Sequence, residues 1–310
     1  MNFKLAAFAD EASGKLDGQI LAMKRNGVDF LEIRGVDGEN IADISVEKAK
    51  EIEKKLSDNG LAVWSLGSPY GKLGITDDFD AHLDKFKRSI EVAHVLKAEH
   101  MRIFSFYVRP EDSEKYRDKV FRQLERFCEA ASGSGVILCH ENEKGIYGDI
   151  ADRCLDIHKN IPQLRAVFDP ANFIQCGVDI LKAYDKLAPY TEYMHIKDAL
   201  RECGRVVPAG YGDGDVKYIL NDLLSGFKLP RTFSISLTEL RNTSNRIGTL
   251  TAVPLPIGIK FSHSFYTNKK RATFLLREKW LINLRLYPCQ DELSPKSYSF
   301  YCPQHFLAIQ

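Results

Sequence analysis

Short apolar runs and amphipathic stretches alternate along the first 228 residues of the chain. The apolar runs predict strands at 3–8, 30–33, 62–66, 101–106, 136–139, 164–168 and 193–196. The stretches between and after them predict helices at 16–26, 46–59, 79–96, 113–131, 149–160, 179–187 and 216–224. In the third helix, Phe79, Leu83, Phe86 and Ile90 follow one apolar stripe. Strand and helix therefore alternate seven times.

Seven strand–helix units of about 32 residues predict a parallel sheet covered by helices. An eighth strand candidate lies at 232–237, so we expect an α/β fold of the (β/α)8 TIM barrel type. The alternative is a doubly wound open sheet. It is disfavoured because the first strand is followed by Asp10-Glu11-Ala12-Ser13 and not by a glycine-rich turn.

The regular pattern ends near residue 228, and the charge balance changes there. Residues 229–310 hold 11 Lys and Arg against 4 Asp and Glu, whereas residues 1–228 hold 32 against 38. We therefore expect a barrel over residues 1–240 and an atypical basic segment over 241–310. Two interpretations of that segment stay open: an irregular or disordered extension, or a stretch translated from a shifted reading frame, which sequencing the gene around codons 225–240 would test.

Net charge, hydrophobic pattern and cysteine content indicate which kinds of partner and location to expect. The net charge of +1 gives no reason to expect nucleic acid or an anionic membrane, and no apolar run reaches the roughly 18 residues of a membrane span. Seven dispersed cysteines without a paired spacing indicate reduced thiols. With no signal peptide recognised near Met1, we expect a cytoplasmic protein, and self-association into a homo-oligomer stays open.

Three polar motifs directly follow predicted strands. Glu141 lies in His140-Glu141-Asn142-Glu143, Asp169 in Phe168-Asp169-Pro170-Ala171-Asn172, and His195 in His195-Ile196-Lys197-Asp198. In a parallel barrel the carboxyl ends of the strands share one face, which holds the active site. Two carboxylates and an imidazole converging there predict a divalent-metal site, with Mn, Mg, Co or Zn as the ion.

These motifs resemble those of the xylose-isomerase-like TIM barrels, a superfamily of sugar-phosphate isomerases and epimerases that also includes endonuclease-type barrels. The resemblance covers residues 1 to about 228 and implies that Glu141, Asp169 and His195 bind a metal. The family's fourth ligand is a glutamate in a Ser-Leu-Glu-Pro-His-like eighth strand. Here Ser236-Leu237-Thr238-Glu239 stands nearby. Either Glu239 substitutes, or this chain lacks the ligand.

The resemblance also implies a reaction. The metal would polarise a carbonyl of a sugar or sugar phosphate, and two glutamates would move the proton, with Glu141 and Glu239 as candidates. Three alternatives stay open: a metal-dependent dehydratase or lyase acting on a keto-polyol, an endonuclease, and a catalytically impaired barrel that lacks the eighth-strand glutamate.

Further residues near the strand ends are candidates for substrate contact or for supporting the ligands. The expected substrate-binding residues are Glu32, Arg102, Asn172 and Lys197, and the expected supporting residues are His140, Glu143 and Asp198. Structural interpretations are open for several of them: His140 faces away from Glu141 on an ideal strand, and Arg102, Glu143 and Lys197 fit plain ion pairs. The glycines at 210, 212 and 214 predict either a phosphate-binding loop or a flexible one.

Overall fold

A computed structural model of the chain describes residues 2–225, 234–237, 250–255, 272–276 and 280–284. The chain divides into two compact units, Met1–Ile259 and Lys260–Gln310. In the second unit, Ala272–Leu276 pairs antiparallel with Trp280–Leu284. The first unit contains every candidate site residue predicted from the sequence.

Nine strands form the sheet of the first unit. They are β1 (Asn2–Ala7), β2 (Phe30–Ile33), β3 (Ala62–Leu66), β4 (His100–Ile103), β5 (Ile137–Glu141), β6 (Arg165–Phe168), β7 (Thr191–Ile196), β8 (Ser234–Leu237) and β9 (Leu250–Leu255). The first eight run parallel to their neighbours in chain order, and the sheet closes into a barrel. Strand β1 pairs in parallel with β8 at Leu5 and Ile235, and antiparallel with β9 along its whole length. The predicted (β/α)8 barrel is confirmed.

Helices follow the strands in turn. They are α1 (Leu16–Asn26), α2 (Val46–Asp58), α3 (Phe79–Val95), α4 (Ser113–Ala131), α5 (Ala151–Asn160), α6 (Pro170–Gln175), α7 (Ile180–Leu187) and α8 (Val216–Ser225). Within the described part of the chain, no helix is long and apolar enough to cross a membrane. Helix α1 ends at Gly27, whose φ of 63° is the left-handed conformation that glycine adopts most easily.

The barrel interior is layered. One buried cluster takes a residue from each of five different strands, which places it inside the barrel: Ala6, Trp64, Cys139, Val167 and Tyr193. Below it, Glu192 accepts from Arg165 at 3.1 Å and lies 3.3 Å from His100. Because side chains alternate along a strand, Glu141, Asp169 and His195 lie in the next layer above Cys139, Val167 and Tyr193. Glu32 and Arg102 belong to the same layer, since they contact His195 and Glu141. An apolar floor thus separates a polar upper layer from the other end of the barrel.

Several described elements were not predicted from the sequence, among them one helix and one strand of the barrel sheet. Helix α6 was not predicted; it begins directly after Asp169, with Pro170 in its first turn. Strand β9 was not predicted either, because Pro254 and Pro256 interrupt the apolar pattern around it. Glu239 lies outside the described residues, so its roles as fourth ligand and base stay predictions. The described cysteines, Cys128, Cys139, Cys154, Cys176 and Cys203, are free thiols.

Candidate metal centre

The three motif residues meet at the carboxyl-terminal mouth of the barrel. Glu141 is the last residue of β5, Asp169 directly follows β6, and His195 lies near the end of β7. All three are buried, and one ligand atom of each lies within 4.8 Å of the others. Nδ1 of His195 is 2.7 Å from Oε1 of Glu141 and 3.9 Å from Oδ2 of Asp169. The two carboxylates therefore face the same imidazole nitrogen.

The other nitrogen of His195 faces a third carboxylate. Nε2 lies 3.1 Å from Oε2 of Glu32, and the hydroxyl of Tyr193 donates to Oε1 of Glu32 at 2.9 Å. Burial lowers the pKa of His195, but Glu141 and Glu32 outweigh this effect and raise the pKa to about 10. Glu32 itself is fully buried. Its contacts therefore orient the imidazole, and both of its oxygens already have partners.

Asp169 uses its two carboxylate oxygens differently. Oδ1 accepts from the backbone N–H of Asn172 at 2.9 Å and so caps helix α6. The side chain of Asn142 holds the backbone on both sides: it accepts from the N–H of Asp169 and donates to its carbonyl, each at 2.9 Å. Oδ2 remains directed towards His195. Burial raises the pKa of Asp169, and the nearby Glu141 carboxylate adds to this effect. Lys197 lowers the pKa but does not offset the rise, and the resulting value is about 7.

Arg102 lies on the opposite side of Glu141 from His195. Its Nη1 is 3.3 Å from Oε2 of Glu141, and its Nη2 donates to the carbonyl of Gly67 at 3.0 Å. The guanidinium also lies over the rings of Phe8 and Phe104, at 5.2 and 4.9 Å. Burial opposes ionisation of Glu141, but His195 and Arg102 outweigh it and hold the pKa of Glu141 well below its usual range.

Lys197 and Asn172 complete the same side of the mouth. The ammonium of Lys197 donates to Oδ1 of Asn172 at 3.1 Å and lies 3.8 Å from Oδ2 of Asp169. The amide of Asn172 donates to the carbonyl of Asn142 at 2.9 Å and reaches Oε1 of Glu141 at 3.4 Å. Two of the four predicted substrate-binding residues, Asn172 and Lys197, therefore touch the cluster from this side, and Lys197 is one quarter exposed.

The three predicted supporting residues occupy different places. His140 points away from Glu141, towards Ser105 at 3.0 Å, and burial lowers its pKa to about 3. Glu143 forms an ion pair of 3.0 Å with Lys72 at the rim. Asp198 is fully buried directly below the 206–214 loop.

The glycine-rich loop does not offer its amides to a ligand. The N–H groups of Gly210, Gly212 and Gly214 donate to the carboxylate of Asp198 at 2.9, 3.0 and 2.8 Å. A side chain at Gly212 would also collide with Asp198 and with the carbonyl of Ala199. The expectation of a phosphate-binding loop at these three glycines is wrong, because Asp198 binds their amides. The expectation of a flexible loop stays a prediction.

Sequence reasoning missed two partners of the cluster. Tyr193 precedes His195 by two residues and so shares its face of β7, a spacing that could have indicated it. Asn142 lies within the motif of Glu141, but its residue type and position there do not predict its contact with Asp169. The partnership of Glu32 with His195 joins residues 163 positions apart, and no local pattern could have indicated it.

Solved structures with the same fold include several that act on sugars or bind metal. No curated protein sequence matches the chain. The probable 3-DHS dehydratase AsbF from Bacillus anthracis is 16% identical with a TM-score of 0.63, over 79% of this chain and 94% of that chain. A D-tagatose 3-epimerase-like protein is 17% identical with a TM-score of 0.62, over 79% and 92%.

A third structure carries a metal ion. It is a xylose isomerase-like TIM barrel protein from Mycobacterium smegmatis in complex with magnesium, 19% identical with a TM-score of 0.57, over 76% of this chain and 85% of that chain. At these identities the likeness concerns the fold. The family model described as xylose isomerase-like TIM barrel matches residues 20–233, which is more than half of the chain. The chain therefore belongs to the xylose isomerase-like TIM barrel family.

Proposed function

We propose that this protein is a metal-dependent isomerase or epimerase of a sugar or sugar phosphate, working by proton transfer at the mouth of the barrel. The observation that carries the proposal is the buried cluster of Glu141, Asp169 and His195 at three neighbouring strand ends. The family membership and the epimerase-like neighbour support a sugar as the substrate class. The reduced cysteines and the absence of a long apolar segment in the sequence support a cytoplasmic location.

The donor set fits a divalent cation. Two carboxylate oxygens and one imidazole nitrogen suit Mg, Mn, Co or Zn, and the Mycobacterium smegmatis neighbour was solved with magnesium. In this proposal Nδ1 of His195 is the ligand atom, because it faces Glu141 and Asp169. Glu32 accepts from Nε2 and so fixes the tautomer, a common arrangement behind a metal-binding histidine. When bound, the ion would polarise the substrate carbonyl and the neighbouring hydroxyl.

The remaining residues handle the proton and the oxygens of the substrate. Glu141 is proposed as the base that accepts a proton from a carbon next to the substrate carbonyl, because its carboxylate lies within the cluster, between His195 and Arg102. Lys197 is three quarters buried at the edge of the cluster and can stabilise negative charge that develops on a substrate oxygen. The partner base is proposed to be Glu239, as its position near the end of the eighth strand suggests. Arg102 and Asn172, which lie 3.3 and 3.4 Å from the carboxylate of Glu141, would hold Glu141 in place.

The first test is the metal content of the purified protein, measured by elemental analysis in wild type and in three isosteric variants. We expect about one ion per chain in wild type and its loss in Glu141→Gln, because the amide removes one of the two negative charges among the three proposed ligands. Glu239→Gln tests the fourth ligand. Glu192→Gln is the matched control, since this glutamate lies in the same barrel but below the apolar floor, and it should retain the ion.

The outcomes separate the interpretations. If Glu141→Gln and Glu239→Gln both lose the ion, the four-ligand site stands, and ketoses can be screened in D2O for metal-dependent exchange of a carbon-bound hydrogen. If Glu141→Gln loses the ion and Glu239→Gln keeps it, Glu239 is not a ligand. The protein then fits the alternative of a catalytically impaired barrel that lacks the eighth-strand glutamate. A wild type that holds no ion and cannot be reconstituted contradicts the proposal.

A second candidate reaction is dehydration of a keto-polyol by a lyase. Lys197 favours it, because its ammonium lies beside the cluster and could protonate a departing hydroxyl group. The structural likeness to a probable dehydratase agrees with this option. Mass spectrometry of the products distinguishes the two reactions, since dehydration removes one water from the substrate and isomerisation leaves its mass unchanged.

A further inference from the structure

Arg34 lies one layer above the metal centre on the active face of the barrel. It directly follows β2, two residues after Glu32, so the alternation of side chains along a strand places it on the same face as Glu32. Its guanidinium carbon is 4.8 Å from the ring centre of Phe8, and that ring meets the imidazole of His195 edge-on, with 5.2 Å between the ring centres. The guanidinium carbon therefore lies no farther from the imidazole centre than the sum of these two distances, about 10 Å.

Gly67, which directly follows β3, gives the same placement by a second route. An added Cβ on this glycine would be 2.6 Å from Cε1 of Phe8 and 3.3 Å from Cβ of Arg34, so Gly67 packs against both. Its carbonyl accepts from Arg102 at 3.0 Å, and Arg102 lies 3.3 Å from the carboxylate of Glu141. Arg34 and a residue that contacts the metal centre thus border the same glycine.

Two carboxylates from the end of β1 already bind the guanidinium of Arg34. Its Nε donates to Oδ2 of Asp10 at 2.8 Å, and its Nη2 donates to Oε1 of Glu11 at 3.3 Å. Within the described part of the chain, Nη1 has no hydrogen-bond partner. The side chains of Arg34, Asp10 and Glu11 are 36%, 19% and 27% exposed. This outer cluster, defined as Asp10, Glu11 and Arg34, therefore offers donors and acceptors to a ligand and carries a net charge of −1.

Other groups at the barrel mouth that could bind a phosphate also have partners. Lys72 pairs with Glu143 at 3.0 Å. Lys197 lies 3.8 Å from Asp169. The amides of the glycine-rich loop donate to Asp198. Among the described residues of the mouth, these cations and amides are therefore already matched by carboxylates.

We infer that the outer cluster is the subsite for the far end of the substrate and binds a hydroxyl group there, so that the substrate is a free keto sugar and not a sugar phosphate. The inference rests on the proposed function. An extended six-carbon ketose spans about 6 Å from its carbonyl carbon to its last oxygen, and the bond from a metal ion to the carbonyl oxygen adds about 2 Å. A ketose held at the metal centre is therefore long enough to reach Arg34.

The charges of the outer cluster select between the two kinds of substrate. A hydroxyl group can accept from Nη1 of Arg34 and donate to a carboxylate, so it uses both kinds of group that the cluster offers. A phosphate dianion would instead face Asp10 and Glu11, whose two negative charges exceed the single positive charge of Arg34. Like charges placed together oppose binding.

The test compares free ketoses with their 6-phosphates, because the members of each pair differ only at the far end. Binding of D-fructose, D-tagatose and the 6-phosphate of each is measured by calorimetry on the protein loaded with Mn²⁺. We expect at least one free ketose to bind about tenfold more tightly than its own 6-phosphate.

Three variants assign the preference to the outer cluster. Asp10→Asn removes one negative charge and should raise the affinity for the 6-phosphate relative to the free ketose by about tenfold, a change that a purely structural role of Asp10 would not produce. Arg34→Gln should weaken binding of the free ketose by about tenfold. Asp43→Asn is the matched control: this exposed carboxylate pairs with Lys85 of α3 at 2.9 Å, and its loss should leave both affinities unchanged. Unchanged Mn²⁺ content shows that each variant is folded.

The results separate the subsite from the reaction. If a ketose binds but its 6-phosphate binds equally well or better, the subsite for a hydroxyl group is refuted while the proposed function stands. The same holds if Asp10→Asn shifts the preference no more than Asp43→Asn does, or if Arg34→Gln binds the free ketose as well as wild type does. If none of the four sugars binds to metal-loaded wild type, both the subsite and the proposed function are refuted.

Discussion

Replacing Asp198 by asparagine should destabilise the barrel and loosen the loop above the site. The buried carboxylate accepts four backbone N–H groups. Oδ1 accepts from Ala199 at 2.9 Å and from Gly214 at 2.8 Å, while Oδ2 accepts from Gly210 at 2.9 Å and from Gly212 at 3.0 Å. Asparagine keeps one acceptor oxygen but turns the other into an NH2 group that faces two donors.

The magnitude follows from those two donors. A hydrogen bond to a charged group contributes about 1.5–3 kcal/mol, so losing both bonds at Oδ2 costs about 3–6 kcal/mol. Two effects reduce this cost: the variant no longer buries a charge, which removes part of the desolvation penalty, and the loop can relax around the amide. We therefore expect Asp198→Asn to lower the free energy of unfolding by about 3 kcal/mol.

Urea unfolding followed by circular dichroism measures the loss, and hydrogen exchange at Gly210 and Gly212 locates it. Asp213→Asn is the matched control: this carboxylate lies in the same loop but is exposed and accepts from only one backbone group, the N–H of Arg201. Its cost should stay below about 1 kcal/mol. Equal effects of the two variants, or unchanged exchange in Asp198→Asn, would refute the reasoning.

Two further predictions follow from buried groups near the barrel mouth. Glu32→Gln should weaken Mn²⁺ binding in calorimetry about 10- to 100-fold, because the amide supports His195 less well than the carboxylate; unchanged affinity contradicts this. Burial lowers the pKa of His158 to about 4, below the value of about 6.5 in an unfolded chain. The unfolded state then binds the proton more readily than the folded state. The free energy of unfolding therefore falls as the pH is lowered from about 6.5 towards 4, by up to about 1.4 kcal/mol per pH unit. His158→Phe keeps the ring that stacks on Tyr190 and should flatten this slope in urea titrations at pH 7, 6 and 5; identical slopes would rule the explanation out.

The hydrophobic pattern was enough to predict most of the fold. Bounds were recovered at both ends for α1, α4, β2 and β3, because a change of period from 2 to 3.6 is visible within a few residues. The convergence of Glu141, Asp169 and His195 was also predictable, since each follows a strand and parallel strands share one active face.

What could not be predicted depends on contacts between distant parts of the chain. Register between strands decides that Glu32, and not a solvent molecule, faces the second nitrogen of His195. The glycine loop was misinterpreted because three glycines suggest open amides, whereas Asp198, more than ten residues earlier, binds them. Helix α6 was missed although Asp169 and Pro170 are a common start of a helix.

The dual contacts of Asp169 have a consequence for how relatives of this protein should be compared. One carboxylate oxygen of Asp169 caps α6, and the side chain of Asn142 binds the backbone N–H and carbonyl of Asp169. Asp169 and Asn142 would therefore be retained for folding alone. A descendant that had lost its chemistry would keep both residues as long as the barrel had to fold. When a relative loses its activity, we therefore expect substitutions first at site residues that have no folding role. The presence of Asp169 and Asn142 in a homologue does not indicate that the homologue is active.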